Sequence, residues 1–260
     1  MKHLPFLTLL QLEIWKHKTK FSIDQLRELF TLLSGEKYIV LPLNEFRQLH
    51  DNNRVVIGLR SDIDIDPFKA LALAKLESEY NIRSTFCILS TARYAGRITR
   101  KGLKRNNLDS VYRQIYELGH EIAIHNDLLT VMIKYGLDPA VFNQKELNYF
   151  RRLKIPIYGT SAHGSEIAKV TRQNYEIFSD FATEKMVNFK GNLYKIGRYS
   201  LQEFGYQYES YHLDYDQYYS DASGVWNLPG GFSELICRLK TAEKGQRIQI
   251  LIHPEWWCLK

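Results

Sequence analysis

Apolar residues recur at Ile23, Leu26, Leu29, Phe30 and Leu33, the spacing of one helical face, which predicts a helix from Ser22 to Leu33. The apolar patch Leu4–Leu12 is short and is followed by Glu13 without a small-residue cleavage site, so it reads as the amphipathic start of a helix rather than a signal peptide. Residues 1–50 are therefore expected to form an N-terminal helical cap within the same domain as the body of the protein, residues 51–260. The pattern then changes. Val55–Leu59 is a short apolar run of the sort found in a strand buried on both faces. Asp66-Pro67 supplies an N-cap and a first-turn proline, predicting a helix to about Tyr80. A second strand is expected at Ile82–Leu89, and a helix is marked by Leu108, Val111, Ile115 and Leu118, ended by Gly119. A third strand follows at Glu121–Ile124, and a capped helix runs from Asp138-Pro139 to near Leu153. The fourth strand is Ile155–Ser161, a helix follows from about Ser165, and the last strand is Arg247–Ile252.

Strand and helix alternate, which implies an α/β fold with a mostly parallel sheet and helices outside. A closed or nearly closed β/α barrel is the expected architecture. A doubly wound open sheet is the alternative, but no glycine-rich turn follows the first strand. Tyr194 to Tyr219 holds eight tyrosines with poor periodicity and reads as an irregular insertion or short antiparallel strands, either a packing layer or a surface for sugar faces.

Composition narrows the partners more than the fold. A 45% hydrophobic chain of 260 residues can bury a sizeable core in one domain. The net charge of +6 suits an acidic glycan or a nucleotide-linked sugar. No basic run is long enough for a nucleic-acid arm; the densest stretch, Arg97–Arg105, reads as a solvated loop before a phosphate-binding patch. Three cysteines without paired spacing argue against a disulfide framework and for a reducing compartment, the cytoplasm. No apolar run reaches the length of a membrane span.

The chemistry-bearing residues cluster by position. Asp62 and Asp64 follow the first strand, His125 the third, His163 the fourth and His253 the last. In a parallel barrel the C-terminal strand ends share one rim, so two carboxylates and three imidazoles would meet there. A single histidine at a strand end is more often structural than functional. Five such groups together call for a cation, because gathering them uncompensated is costly. Carboxylate with imidazole suits a divalent metal ion, zinc first. Asp62 and Asp64, two apart on an extended chain, point the same way, which divides them into one ligand and one base.

These residues resemble a family. Arg60-Ser61-Asp62-Ile63-Asp64 is similar to the first motif of the polysaccharide deacetylases (the NodB-homology family, carbohydrate esterase family four). Gly119-His120-Glu121-Ile122-Ala123-Ile124-His125 resembles their second motif, and Ile250-Leu251-Ile252-His253-Pro254 their last. Tyr218-Tyr219-Ser220-Asp221 with Trp226 looks most like the divergent WbmS-like branch, associated with bacterial surface-polysaccharide loci. The resemblance spans roughly residues 54 to 257. It implies an irregular β/α barrel of fewer than eight strands, with Asp62 as general base, Asp64 and His125 as metal ligands and His253 as general acid. Where the family has a second metal-binding histidine four residues after the first, this chain has Leu129. His163, at the next strand end, is the candidate replacement; that assignment comes from position and not from the family. His120 reads as structural. Arg60, Asp221, Trp226 and Trp256 are expected on the substrate side, with Asp221 also a candidate to orient a neighbour, and Trp256 and Trp257 read equally as a wall beside His253 or as core. The implied reaction removes an N-acetyl or O-acetyl group from a sugar or surface-polysaccharide precursor. The alternatives are an inactive glycan-binding or scaffold protein on the same fold and another metal-dependent amidohydrolase.

Overall fold

A computed structural model describes residues 19–170 and 173–259. Leu4–Leu12 lies outside the described residues. In chain order the elements are α1 (Ile23–Leu33), β1 (Tyr38–Leu41), α2 (Leu43–Phe46), β2 (Val55–Ile63), α3 (Pro67–Glu79), β3 (Thr85–Leu89), β4 (Gly96–Thr99), β5 (Gly102–Arg105), α4 (Asp109–Glu117), β6 (Glu121–Asn126), α5 (Leu128–Tyr135), α6 (Pro139–Arg152), β7 (Gly159–Ala162), α7 (Glu166–Val170), β8 (Lys185–Phe189), β9 (Asn192–Ile196), β10 (Tyr208–Glu209), β11 (Gln217–Ser220), α8 (Gly231–Thr241) and β12 (Arg247–Ile252).

The main sheet has the order β10-β7-β6-β3-β2-β12-β11, with β1 also on β2. The pairings β1–β2, β12–β2, β11–β12, β6–β7 and β10–β7 are all parallel. This is a mixed α/β fold whose strand order matches a partial β/α barrel. The closed or nearly closed barrel expected from the alternation is met in part, with β10 and β11 at the two ends of the strand order. Residues 19–50 are not purely helical. Tyr38–Leu41 pairs with Val55–Gly58 as a strand of the sheet, because its aromatic and β-branched side chains suit a pleated surface better than a helix. The tyrosine-rich stretch divides as well. β9 forms an antiparallel hairpin with β8, while β10 and β11 are short parallel strands of the main sheet.

The chain forms two compact units. Of the described residues, one contains those up to Phe86, Ser110–Ile122 and those from Asp214 onward. Its α1 begins with a capping box between Ser22 and Gln25 and buries Leu26, Leu29, Phe30 and Leu33. Its β2 is buried along all nine residues. Gly58 is required there: a Cβ at that position would stand 2.8 Å from ring atoms of Phe46 in α2. Asp66 caps α3, accepting from the backbone N–H of Phe68 (3.0 Å) and Lys69 (3.1 Å), so that carboxylate is spent on the helix. The other unit contains Cys87–Asp109 and Ala123–Leu213. There α5 buries Leu128, Leu129 and Val131, and ends on Gly136 in the left-handed region. Asp138 caps α6, as its Asp-Pro start predicts. No helix among the described residues is long and apolar enough to cross a membrane.

Candidate metal centre

β2 delivers the first carboxylates. It runs to Ile63, four residues beyond the predicted strand, so Asp62 lies inside it and Asp64 just past its end. Asp62 is buried, and its Oδ2 lies 3.5 Å from Nη2 of Arg60, two residues back on the same buried strand. Arg60 is fully buried and also reaches the Tyr218 hydroxyl at 3.4 Å. It was expected to touch substrate; its surroundings make it the counter-charge of Asp62, since a buried guanidinium needs a partner anion.

β12 delivers His253. Asp221, just past β11, is completely buried and accepts from His253 Nδ1 (2.7 Å), from the His253 backbone N–H and from Trp257 Nε1 (2.8 Å). Asp221 therefore orients His253 and lacks the exposure of a substrate-binding residue. The other imidazole nitrogen, Nε2, lies 4.0 Å from Asp64 Oδ2. Burial opposes a charge on His253, yet the Asp221 hydrogen bond and the charges of Asp221, Asp64 and Asp62 raise its pKa to about 10. Trp226 is 3% exposed and packs with Phe21, Phe232 and Trp257 in an aromatic cluster, which withdraws it from the substrate side. Trp257 is core, with its indole N–H on Asp221, whereas Trp256 is half-buried.

Glu255, two residues beyond His253, belongs to the same cluster and escaped the sequence reading. It is buried, its Oε2 has no hydrogen-bond partner, and burial, with Asp64 adding to it, pushes its pKa up to about 8. Lys69 fixes this turn by donating to the backbone oxygens of Glu255 and Trp257, both at 3.0 Å.

The second unit carries the imidazole pair. His125 lies within β6, and its Nδ1 donates to the Ser161 carbonyl at 2.9 Å. A carbonyl only accepts, so Nδ1 is the donor here, the arrangement in which the other nitrogen, Nε2, can serve as a metal ligand. His163 is anchored by its backbone N–H on the Asn126 carbonyl at 2.8 Å. Its ring meets that of His125 edge to face, centroids 4.9 Å apart. Its Nδ1 lies 3.7 Å from Asp127 Oδ2, and Asp127 also accepts from Thr91 Oγ1 at 2.7 Å. Burial works against the Asp127 carboxylate, but the neighbouring His163 imidazole and the Thr130 and Thr91 hydroxyls hold its pKa below the usual range. Leu129 is buried in α5, and its backbone N–H is taken by Asn174 Oδ1, so this position contributes packing where the family pattern has a ligand. A cavity of about 10 Å³ beside His125, bounded by Ile124, Leu128, Val131 and Phe142 among others, has room for about one water-sized group.

Asp64, His125 and His163 each offer one ligand atom, and these atoms lie within 4.8 Å of one another. One carboxylate and two imidazoles, one of them oriented by a backbone carbonyl, are a donor set that fits a divalent ion. His120 stays outside this group. It accepts from the Ser84 N–H, bonds the Ala74 carbonyl at 3.0 Å, and is driven down to about 4 by burial, a neutral structural histidine. No protein-family model and no curated protein matched this chain.

Proposed function

We propose that this protein is a metal-dependent hydrolase of the polysaccharide deacetylase kind, releasing acetate from an acetylated amino sugar or surface-polysaccharide precursor. One observation carries the reading: ligand atoms of Asp64, His125 and His163 within 4.8 Å of one another, with a carboxylate-held histidine 4.0 Å from the same aspartate. Zinc is the first choice of ion for such a set. A divalent ion there supplies Lewis-acid polarisation of an acyl oxygen and acidifies water. Asp62, paired with Arg60, takes the proton of the attacking water as the new C–O bond forms. His253, cationic at neutral pH, gives its Nε2 proton to the nitrogen as the C–N bond breaks, while Asp221 holds the imidazole in place. The order of the motifs along the chain supports the deacetylase family over other metal amidohydrolases, and three cysteines outside any disulfide support a cytoplasmic setting.

The test is metal analysis of the purified protein together with acetate release from a panel of acetylated sugars, simple amides and phosphoesters. One equivalent of divalent metal, lost in His125→Ala, with acetate released from the sugars, is the expected result. Metal with turnover only of other amides or phosphoesters would move the protein to a different hydrolase class. Protein purified after supplementation that holds no metal would leave the non-catalytic scaffold.

A further inference from the structure

The positive charge of this protein is concentrated in one place. Residues 93–105 carry six of the 35 Lys and Arg residues and no acid, which leaves 29 basic against 29 acidic residues in the rest of the chain. The net +6 of the whole protein thus equals the charge of this one segment. Within it, Arg97–Arg105, expected from the sequence to be a solvated loop, belongs to the antiparallel hairpin β4–β5. The hairpin is two-sided. Ile98, Leu103 and Arg105 share the face turned to its own unit, where Arg105 pairs with Glu146 at 2.5 Å and stacks over the Tyr149 ring at 3.6 Å. Arg97, Thr99 and Lys104 share the other face, all exposed, and Arg100 and Lys101 form the exposed turn. Lys145 of α6 adds a cation at the tip by donating to the Lys101 carbonyl at 2.9 Å.

Two features separate this from an ordinary solvated surface. Arg97 is directly opposite Lys104 in the ladder, and like charges so placed destabilise a strand pair. In addition, Arg97, Arg100, Lys101 and Lys104 meet no carboxylate among the described residues, although the chain forms ion pairs elsewhere on its surface. Such a hairpin gains stability when an anion lies across it. The dimensions choose the anion. Opposed side chains start about 5 Å apart, and four residues of strand extend only about 13 Å. That holds one or two phosphates, not the six to ten that a duplex-binding surface typically engages. No large apolar side chain of the hairpin is exposed to enter a membrane.

We infer that the outer face of the β4–β5 hairpin is a diphosphate-binding site, built from Arg97, Lys104, Arg100 and Lys101, for the diphosphate of a nucleotide- or lipid-linked sugar. Arg97 provides a planar fork for two phosphate oxygens, and the lysines provide point charges around it. As an assignment of substrate class this rests on the hydrolase reading; as a binding site it stands without it.

The experiment is calorimetric titration of the full chain with inorganic pyrophosphate, a nucleoside diphosphate acetamido sugar, the same sugar without phosphate, a short DNA duplex, and vesicles with and without an anionic lipid. The expected result is salt-sensitive binding of pyrophosphate and the nucleotide sugar, with the unphosphorylated sugar unaffected by changes in the hairpin. Arg97→Gln with Lys104→Gln should weaken pyrophosphate roughly tenfold or more, as expected for lost charge-assisted hydrogen bonds. It should leave the thermal midpoint equal or higher, since a repulsion is removed. Arg97→Glu, which can pair with Lys104, provides a second folded variant with the same expected loss. Unchanged pyrophosphate affinity in both variants overturns the site, and so does tighter binding of DNA or anionic vesicles than of pyrophosphate. Loss of acetate release with pyrophosphate binding intact would instead count against the hydrolase reading alone.

Discussion

Asp221→Asn tests how the charge on His253 is sustained. Asp221 receives three donors: the His253 backbone N–H, His253 Nδ1 and Trp257 Nε1. An asparagine offers one acceptor oxygen and an NH2 group, so at least one of those N–H groups would face another donor at a fully buried position. Removing one member of a buried charge pair typically costs about 3–5 kcal/mol. For a chain of this size that corresponds to a fall in Tm of roughly 10 °C. The pH dependence makes the test specific. The pKa of His253 in the folded protein is raised to about 10, against 6.5 unperturbed. A raised histidine contributes stability that is complete below the unfolded value and disappears as pH climbs through the folded one. The gap between wild type and Asp221→Asn should therefore be widest at pH 5–6.5 and shrink toward pH 10.5. The assay is urea unfolding of chelator-treated protein across that range. A gap of constant size would show that Asp221 acts through packing or neutral hydrogen bonds alone, and the general-acid role of His253 would lose its basis.

Other outcomes follow from the same geometry. Asp62→Asn should abolish acetate release while the metal content stays at the wild-type level; loss of metal would exchange the roles of Asp62 and Asp64. His163→Ala should lower metal affinity, and Asp127→Asn should lower it by about 10–100-fold through the ring it faces, both read by chelator competition, with unchanged affinity removing His163 from the ligand set. Glu255 in the folded, metal-free protein has its pKa raised to about 8, so its burial destabilises increasingly as pH rises from 4.5 to 8. Glu255→Gln should accordingly be more stable than wild type at pH 8 and above and show little difference near pH 4.5, by the same unfolding assay. Gly58→Ala should cost about 1–3 kcal/mol, the usual range for overpacking, because the Phe46 ring occupies the space of the added methyl.

What could be read from the sequence was local. Asp66-Pro67 and Asp138-Pro139 mark helix starts at the residues where α3 and α6 begin, because a cap and a first-turn proline act within one turn of chain. β12 was legible to the residue, as an apolar run between charged and turn residues. α5 was missed because Leu128–Tyr135 is apolar on nearly every side and has no periodicity to detect. β4 and β5 were missed because polar side chains hide a two-residue alternation when one face is in water. In the candidate site, the ligand-type residues stood out by their place at strand ends, and Asp64, His125 and His163 do come together. Their supports did not stand out. Whether Arg60 and Asp221 face substrate or face Asp62 and His253 depends on burial, which no spacing encodes. Asp127 and Glu255 looked like ordinary loop acids, and only the fold gives one a histidine and the other an unsatisfied oxygen.

The ion pair inside β2 constrains how such a protein could lose its chemistry. Arg60 and Asp62 lie two residues apart on a strand sealed from solvent, each cancelling the other's charge. Replacing both with well-packed apolar residues should be neutral or stabilising, whereas removing either alone strands a charge in the interior. A lineage that no longer used the carboxylate would thus stand at a local optimum with an uphill first step in both directions, and could carry the intact pair long after the reaction had ceased to matter.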